Sequence, residues 1–339
     1  MTDVTDMTDV TDPTGSDTAR TSSGKARTQT PAEQSLLSLV GGTPLVELRS
    51  LSPKPGIRIF GKLEGQNPSG SVKDRLALGL VRSAEARGDL SPGRTIVEAS
   101  SGNTGIALAM VGKQRGYTVQ VVIPHGVAPS IGDVLALYGA EVEWCDSAAG
   151  LQGAIDRAEA LAEERDWYPL RQFRDPANVE VHYATTGEEL VHDLPSVDVF
   201  VAGVGTAGTV MGVARRLREH NPDVKIVAVE PRMGDKLQGL RSMEDGGPPP
   251  LLDLEMLDAR YLVDNAAAIR MTAQVVNEEG LLIGVSGGAC LHAALRYADR
   301  MDTGDIIAMV SDSGWKYLPA RPWEAAQKGD DRLDDLHWW

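Results

Sequence analysis

Short apolar runs alternate along most of the chain with longer segments of helical periodicity. Ile57 to Lys62, Thr95 to Glu98, Val119 to Ile123, Glu141 to Trp144, Val199 to Ala202, Lys225 to Val229 and Ile306 to Val310 read as strands. A turn at Gly41, Gly42, Thr43 and Pro44 leads into a further strand at Leu45 and Val46. Between them the spacing predicts helices over Lys73 to about Arg87, Ile106 to about Arg115, Ile131 to Tyr138 and Leu151 to Glu164. More are predicted up to Leu194, on to about His220, after Pro248, Pro249 and Pro250, and from Val285. Strands alternating with helices of this length predict parallel βαβ units, with helices covering the sheet. Order is expected to begin near Pro31, in a helix with Leu36, Leu37 and Leu39 as its apolar face.

The first 31 residues break this pattern. They are Thr-, Asp-, Ser- and Gly-rich, and Thr-Asp-Val-Thr-Asp occurs at 2–6 and again at 8–12. So few apolar side chains cannot offset ordering entropy, and a disordered leader is expected.

Composition narrows the function classes. A chain of 339 residues suggests about two domains, and 42% hydrophobic residues suffice for a core. A net charge of −15 argues against nucleic acid, whose phosphates need clustered Lys and Arg. Cys145 and Cys290 lie far apart without metal-ligand spacing, so reduced structural cysteines and no metal are expected. No apolar run reaches the roughly 18 residues of a membrane span. The amino terminus lacks the basic and apolar regions of a signal peptide, and the cytoplasm is the expected compartment.

Three stretches carry chemistry. Asn67, Pro68, Ser69 and Gly70 form a turn, and Ser71, Val72, Lys73, Asp74 and Arg75 lead from it into a helix. The helix dipole disfavours positive charge at Lys73, so its amine is more readily neutral and nucleophilic; a solvated first-turn lysine is the alternative. The run Gly203, Val204, Gly205, Thr206, Ala207, Gly208 and Thr209 follows an apolar strand and opens a helix. Its N–H groups and two hydroxyls suit a phosphate, without the Gly-Lys-Ser/Thr of a P-loop or dinucleotide-binding spacing; a tight packing turn is the alternative. Ser100, Ser101, Gly102, Asn103, Thr104 and Gly105 repeat the strand–loop–helix setting. They suit a carboxylate, or cap the helix. A reactive lysine, a phosphate cradle and a carboxylate loop together point to pyridoxal phosphate chemistry on an amino-acid substrate.

On these residues the chain resembles the cysteine synthase and cystathionine β-synthase group of fold-type II pyridoxal phosphate enzymes. The likeness runs from Ser35 to Leu318 and rests on 67–75, 101–105, 205–209 and 285–289, in family order. It implies an α/β fold of two domains, each with a central, mainly parallel sheet flanked by helices, and an active site between them. The implied boundaries are a leader at 1–31, an N-terminal part at 32–176 with the smaller mobile domain and the lysine, a larger domain at 177–322, and a tail at 323–339. The resemblance implies that Lys73 forms the Schiff base and takes the α-proton, Asn103 bonds the pyridoxal hydroxyl, and Gly205, Thr206, Ala207, Gly208 and Thr209 hold the phosphate. Ser286 would face the pyridine nitrogen, and Ser100, Ser101, Thr104 and Gln172 the substrate carboxylate.

Within the group the chain looks most like the cysteine synthase M type that uses O-phosphoserine. Gln172 to Asn178 with His182 and Tyr183, Glu230-Pro231-Arg232, 239–243 and 314–318 carry that likeness. Arg241 would bind the leaving phosphate, whereas an acetyl leaving group needs no such cation; a surface arginine is the alternative. The implied activity is β-replacement giving L-cysteine from O-phosphoserine, or O-acetylserine, through an aminoacrylate. Its sulfur would come from sulfide, thiosulfate or a carrier-protein thiocarboxylate, and a homodimer is implied. Ser100 stands where the family usually has Thr. His125 to Asp133 departs more, which leaves open another nucleophile such as an amine, and a β-elimination lyase is a further alternative. Trp338 and Trp339 would serve as part of a lid.

Overall fold

The computed structural model describes residues 35–319 apart from Ser147, together with Trp323. The leader, Pro31 and the closing Trp338 and Trp339 lie outside the described residues. The strands are β1 (Leu45–Glu47), β2 (Ile57–Leu63), β3 (Ile96–Ala99), β4 (Val119–Pro124), β5 (Glu141–Cys145), β6 (Tyr168–Pro169), β7 (Val199–Gly203), β8 (Lys225–Pro231), β9 (Ala259–Val263) and β10 (Gly304–Val310). They form two sheets, a six-stranded one ordered β1-β2-β10-β7-β8-β9 and a four-stranded one ordered β5-β4-β3-β6. Only the β1–β2 pair is antiparallel.

The helices are α1 (Lys73–Arg87), α2 (Asn103–Arg115), α3 (Pro129–Tyr138), α4 (Leu151–Arg165), α5 (Ala177–His182), α6 (Glu188–Asp193), α7 (Gly208–His220), α8 (Met243–Gly246), α9 (Asn265–Glu279) and α10 (Val285–Ala298). A π-helical turn, Tyr183–Gly187, joins α5 to α6. Strands β3 and β4 are buried at every position, because helices cover both faces, and they read as mainly apolar runs broken only by Glu98 and Gln120. Helix α2 is buried on all sides from Thr104 to Gly112, so it presents no polar face to solvent.

Two expectations are corrected. Leu36–Leu39 is a single 3₁₀ turn in which only Leu37 is buried. The stretch after the proline run holds a strand, β9, before its helices. As an edge strand it buries only Val263 and lacks an apolar run. Among the described residues no helix is long and apolar enough to cross a membrane.

Candidate active site

The turns following β3, β7 and β10 meet the N-termini of α1 and α10 around one cavity, as expected at the carboxyl ends of parallel strands. One lobe is walled by Lys73, Ser100, Ser101, Asn103, Thr104, Gln172 and Arg241. The other adds Ala207, Thr209 and Ser286, and Lys73, Asn103, Gly205 and Thr206 belong to both. Of the residues expected at the site, only Gly208 is set back from the wall.

Lys73 is the first residue of α1 and is partly buried. Desolvation pulls its ammonium down to about 8 against the opposing attraction of Asp312. A lysine that deprotonates so readily has a substantial neutral fraction near neutral pH.

The glycine loop before α7, expected to hold a phosphate, is shaped by close packing of α7 on α5. Gly208 and Gly212 both face α5: a Cβ on Gly208 would lie 1.9 Å from Asn178 Oδ1, and one on Gly212 2.4 Å from the Val179 carbonyl. This contact brings Asn178 and His182 behind the two cradle threonines. The Thr206 hydroxyl accepts from Asn178 Nδ2 at 2.9 Å and from the Gly208 N–H at 3.3 Å, so its own proton is left for a ligand. His182 lies 3.1 Å from Thr209 Oγ1 and 3.0 Å from Thr186 Oγ1. Burial keeps its imidazole neutral. Ala207 adopts φ +71°, unusual for a residue with a side chain, exactly where the loop turns into α7. The N–H groups of Gly205, Thr206, Ala207 and Thr209 have no acceptor among the described residues. Free N–H groups at a helix N-terminus, two hydroxyls and backbone that tolerates no further side-chain atoms fit a phosphate ester. Lys73 fits its aldehyde. The Ser286 hydroxyl hydrogen-bonds to none of the described residues, and fits a ring nitrogen that needs no counter-charge.

The loop after β3 is arranged differently from the expectation that all its hydroxyls face a ligand. The Ser100 hydroxyl accepts from the N–H groups of Gly102 and Gly105, at 3.1 and 2.9 Å, and so shapes its own loop. Thr104 donates to Gln172 Oε1 at 2.8 Å, while Gln172 Nε2 donates to the Ala99 carbonyl at 3.0 Å. The donors left for a carboxylate are the Ser101 hydroxyl, the second hydrogen of Gln172 Nε2 and the N–H groups of Ser101, Asn103 and Thr104, which have no acceptor among the described residues. Behind the loop, Glu98 accepts from the N–H groups of Ala99 and Gln172, and burial pushes its carboxyl up to about 7.

Arg241 is half-buried, with its guanidinium 5.3 Å from the Phe173 ring centre. It makes no ion pair among the described residues.

The characteristic pattern of pyridoxal-phosphate-dependent enzymes matches residues 36–312. The chain belongs to that family. A cysteine synthase of Staphylococcus aureus is 39% identical over 293 residues, covering 84% of this chain and 94% of its own. A crystal structure of an O-ureido-L-serine synthase superposes with a TM-score of 0.82 at 36% identity, over 88% of this chain and 97% of that one. A cysteine synthase from Entamoeba histolytica superposes with a TM-score of 0.82 at 32% identity, over 94% of this chain and 99% of that one. Pyridoxal phosphate is the cofactor of this fold-type II enzyme. Reading the chain one stretch at a time misses Asp312, Asn178, His182 and Glu98, which reach the site from behind its wall.

Proposed function

We infer that this enzyme is a cysteine synthase that catalyses β-replacement on a serine whose leaving group is anionic, with O-phosphoserine as the substrate. The observation that carries the leaving group is Arg241: a half-buried guanidinium on the cavity wall with no acidic partner among the described residues. A phosphate dianion repays its desolvation through charge-assisted, forked hydrogen bonds.

The residues divide the work. The N–H groups of α2 and the Ser101 hydroxyl hold the substrate carboxylate. The cradle at 205–209 anchors the cofactor phosphate, and the cofactor, when bound, supplies the electron sink for charge developing at the substrate α-carbon. Lys73 Nζ receives the α-proton, and Arg241 draws the departing phosphate away. The neutral Ser286 hydroxyl leaves the ring nitrogen without a carboxylate, which favours elimination and addition at the β-carbon.

The test compares kcat/KM for O-phosphoserine and O-acetylserine with sulfide, measured as cysteine formed. Arg241→Ala is expected to lower the O-phosphoserine value roughly 10- to 100-fold, the worth of a charge-assisted pair, and to leave O-acetylserine nearly unchanged. Equal losses on both, or a wild-type preference for O-acetylserine, would refute the assignment. A second reading keeps the first half of the reaction and changes the nucleophile. The departure at 125–133 and the likeness to an O-ureido-L-serine synthase favour it. Product analysis with sulfide, thiosulfate, a protein thiocarboxylate and hydroxyurea in competition separates the two.

A further inference from the structure

Asp312 lies two residues past the end of β10 and touches three parts of the site. The Val72 N–H donates to the Ser311 carbonyl at 2.8 Å, and Asp312 bridges Ser71, two residues before the reactive lysine. The Asp312 carbonyl accepts from the N–H of Gly284, the residue that caps α10 just before Ser286. Its carboxylate is buried, and Oδ2 accepts from Asn103 Nδ2 at 2.8 Å and from the Tyr317 hydroxyl at 3.1 Å. Lys316 Nζ donates to the other end of the same amide, Asn103 Oδ1, at 2.5 Å.

An asparagine amide is nearly symmetric in shape, and its orientation is set by its partners. Here a carboxylate, which only accepts, stands at one end, and an ammonium, which only donates, stands at the other. A single orientation satisfies both. The second hydrogen of Asn103 Nδ2 has no acceptor among the described residues, and Asn103 lines both lobes of the cavity.

We propose that Asp312 and Lys316 are positioning residues that lock the Asn103 amide so that it presents an N–H, and never its carbonyl, to the ring hydroxyl oxygen of the cofactor. The proposal rests on Asn103 lying beside that oxygen, and it does not depend on the substrate assigned above. Removing either lock weakens the preference for that orientation. In the rotated fraction the Asn103 carbonyl faces the ring oxygen, which retains its proton to satisfy that acceptor.

The experiment uses the full chain, stripped of cofactor and retitrated with pyridoxal phosphate. Dissociation constants and absorption spectra are compared for Asp312→Asn, Lys316→Met and Lys316→Arg, each also in an Asn103→Ala background. Asp312→Asn and Lys316→Met are each expected to weaken cofactor binding roughly tenfold and to move absorbance from the visible toward the near-ultraviolet form with a protonated ring hydroxyl. Lys316→Arg, which still donates, is expected to keep the wild-type spectrum. In the Asn103→Ala background neither substitution should act further, because the group they orient is gone. Equal losses in both backgrounds, or wild-type spectra in both variants, would overturn the proposal. Thermal unfolding of each apoenzyme identifies a variant that does not fold, and Lys316→Met then decides the matter without Asp312→Asn.

Discussion

A single methyl group at Gly208 tests how the cradle is built. The Cβ of Gly208→Ala would sit 1.9 Å from Asn178 Oδ1, 2.3 Å from its Cγ and 2.7 Å from its Nδ2. All three are far inside contact distance, and the neighbour is no flexible tip. Asn178 is fully buried, and its Nδ2 donates to the Gln172 carbonyl at 2.8 Å and to Thr206 Oγ1 at 2.9 Å. Gly208 lies in ordinary helical backbone, so the cost is one of space alone. Seating the methyl displaces the amide and breaks two buried hydrogen bonds, each worth about 1 kcal/mol net, and adds overpacking strain of about 1–3 kcal/mol. The expected loss is about 3–5 kcal/mol in urea unfolding of the apoenzyme, with weaker cofactor binding because Thr206 loses the partner that turns its proton outward. Asn178→Ala removes the obstructing amide. The double variant Gly208→Ala, Asn178→Ala is therefore expected to be no less stable than Asn178→Ala alone. A Gly208→Ala enzyme within about 0.5 kcal/mol of wild type, or a double variant whose losses simply add, would refute this account of the packing.

Other consequences are as concrete. Glu98, with its carboxyl raised from 4.5 to about 7, binds a proton in the fold that the unfolded chain has released, so stability falls as pH rises through that window. The contribution is about 3 kcal/mol, and urea unfolding from pH 4.5 to 8 should show a flatter profile for Glu98→Gln; parallel profiles would exclude it. Because the Lys73 ammonium titrates near 8, the rate at which its amine bonds the cofactor aldehyde should rise with pH to about 8 and then level, followed by stopped-flow absorbance. A rate still climbing tenfold per unit at pH 9.5 would mean an unshifted lysine. Ala207→Gly removes the penalty of φ +71° but adds freedom to the unfolded chain, so it should cost nothing and gain up to about 1 kcal/mol. A measured loss would show that the alanine methyl packs usefully.

Apolar runs made most of the fold legible. Strands buried on both faces announce themselves, and β3, β4, β7, β8 and β10 were found within a few residues of their ends. Strand β9 was not, because an edge strand needs no apolar run. The first turn of α2, Asn103 to Gly105, read as loop because Asn, Thr and Gly are turn residues wherever they stand. Lys73 and the two candidate ligand loops, which line the cavity, were legible as junctions for a local reason: each is a strand–turn–helix junction visible within about ten residues. Asn103 meets Asp312 across 209 positions and Thr104 meets Gln172 across 68, and no local pattern marks such pairs. Asp312 did carry a hint, since it too lies just past a buried strand, between that strand and a turn.

The residues behind the wall also explain how two ligand sites on different sheets keep register. The carboxylate loop follows β3 of the four-stranded sheet, and the cradle follows β7 of the six-stranded one. Gln172 holds the first through Thr104 and Ala99, and its own carbonyl accepts from Asn178. The same Asn178 nitrogen holds Thr206 in the second. Both hydrogens of that nitrogen are spent, one on each side, so neither loop can shift without breaking a buried hydrogen bond. On the proposed assignment of the two loops, the short segment 172–178 would set the spacing between substrate carboxylate and cofactor phosphate. Asn178→Asp, which keeps the shape but loses both donors, should weaken substrate and cofactor binding together, and a loss confined to either ligand would show that the two loops are held independently.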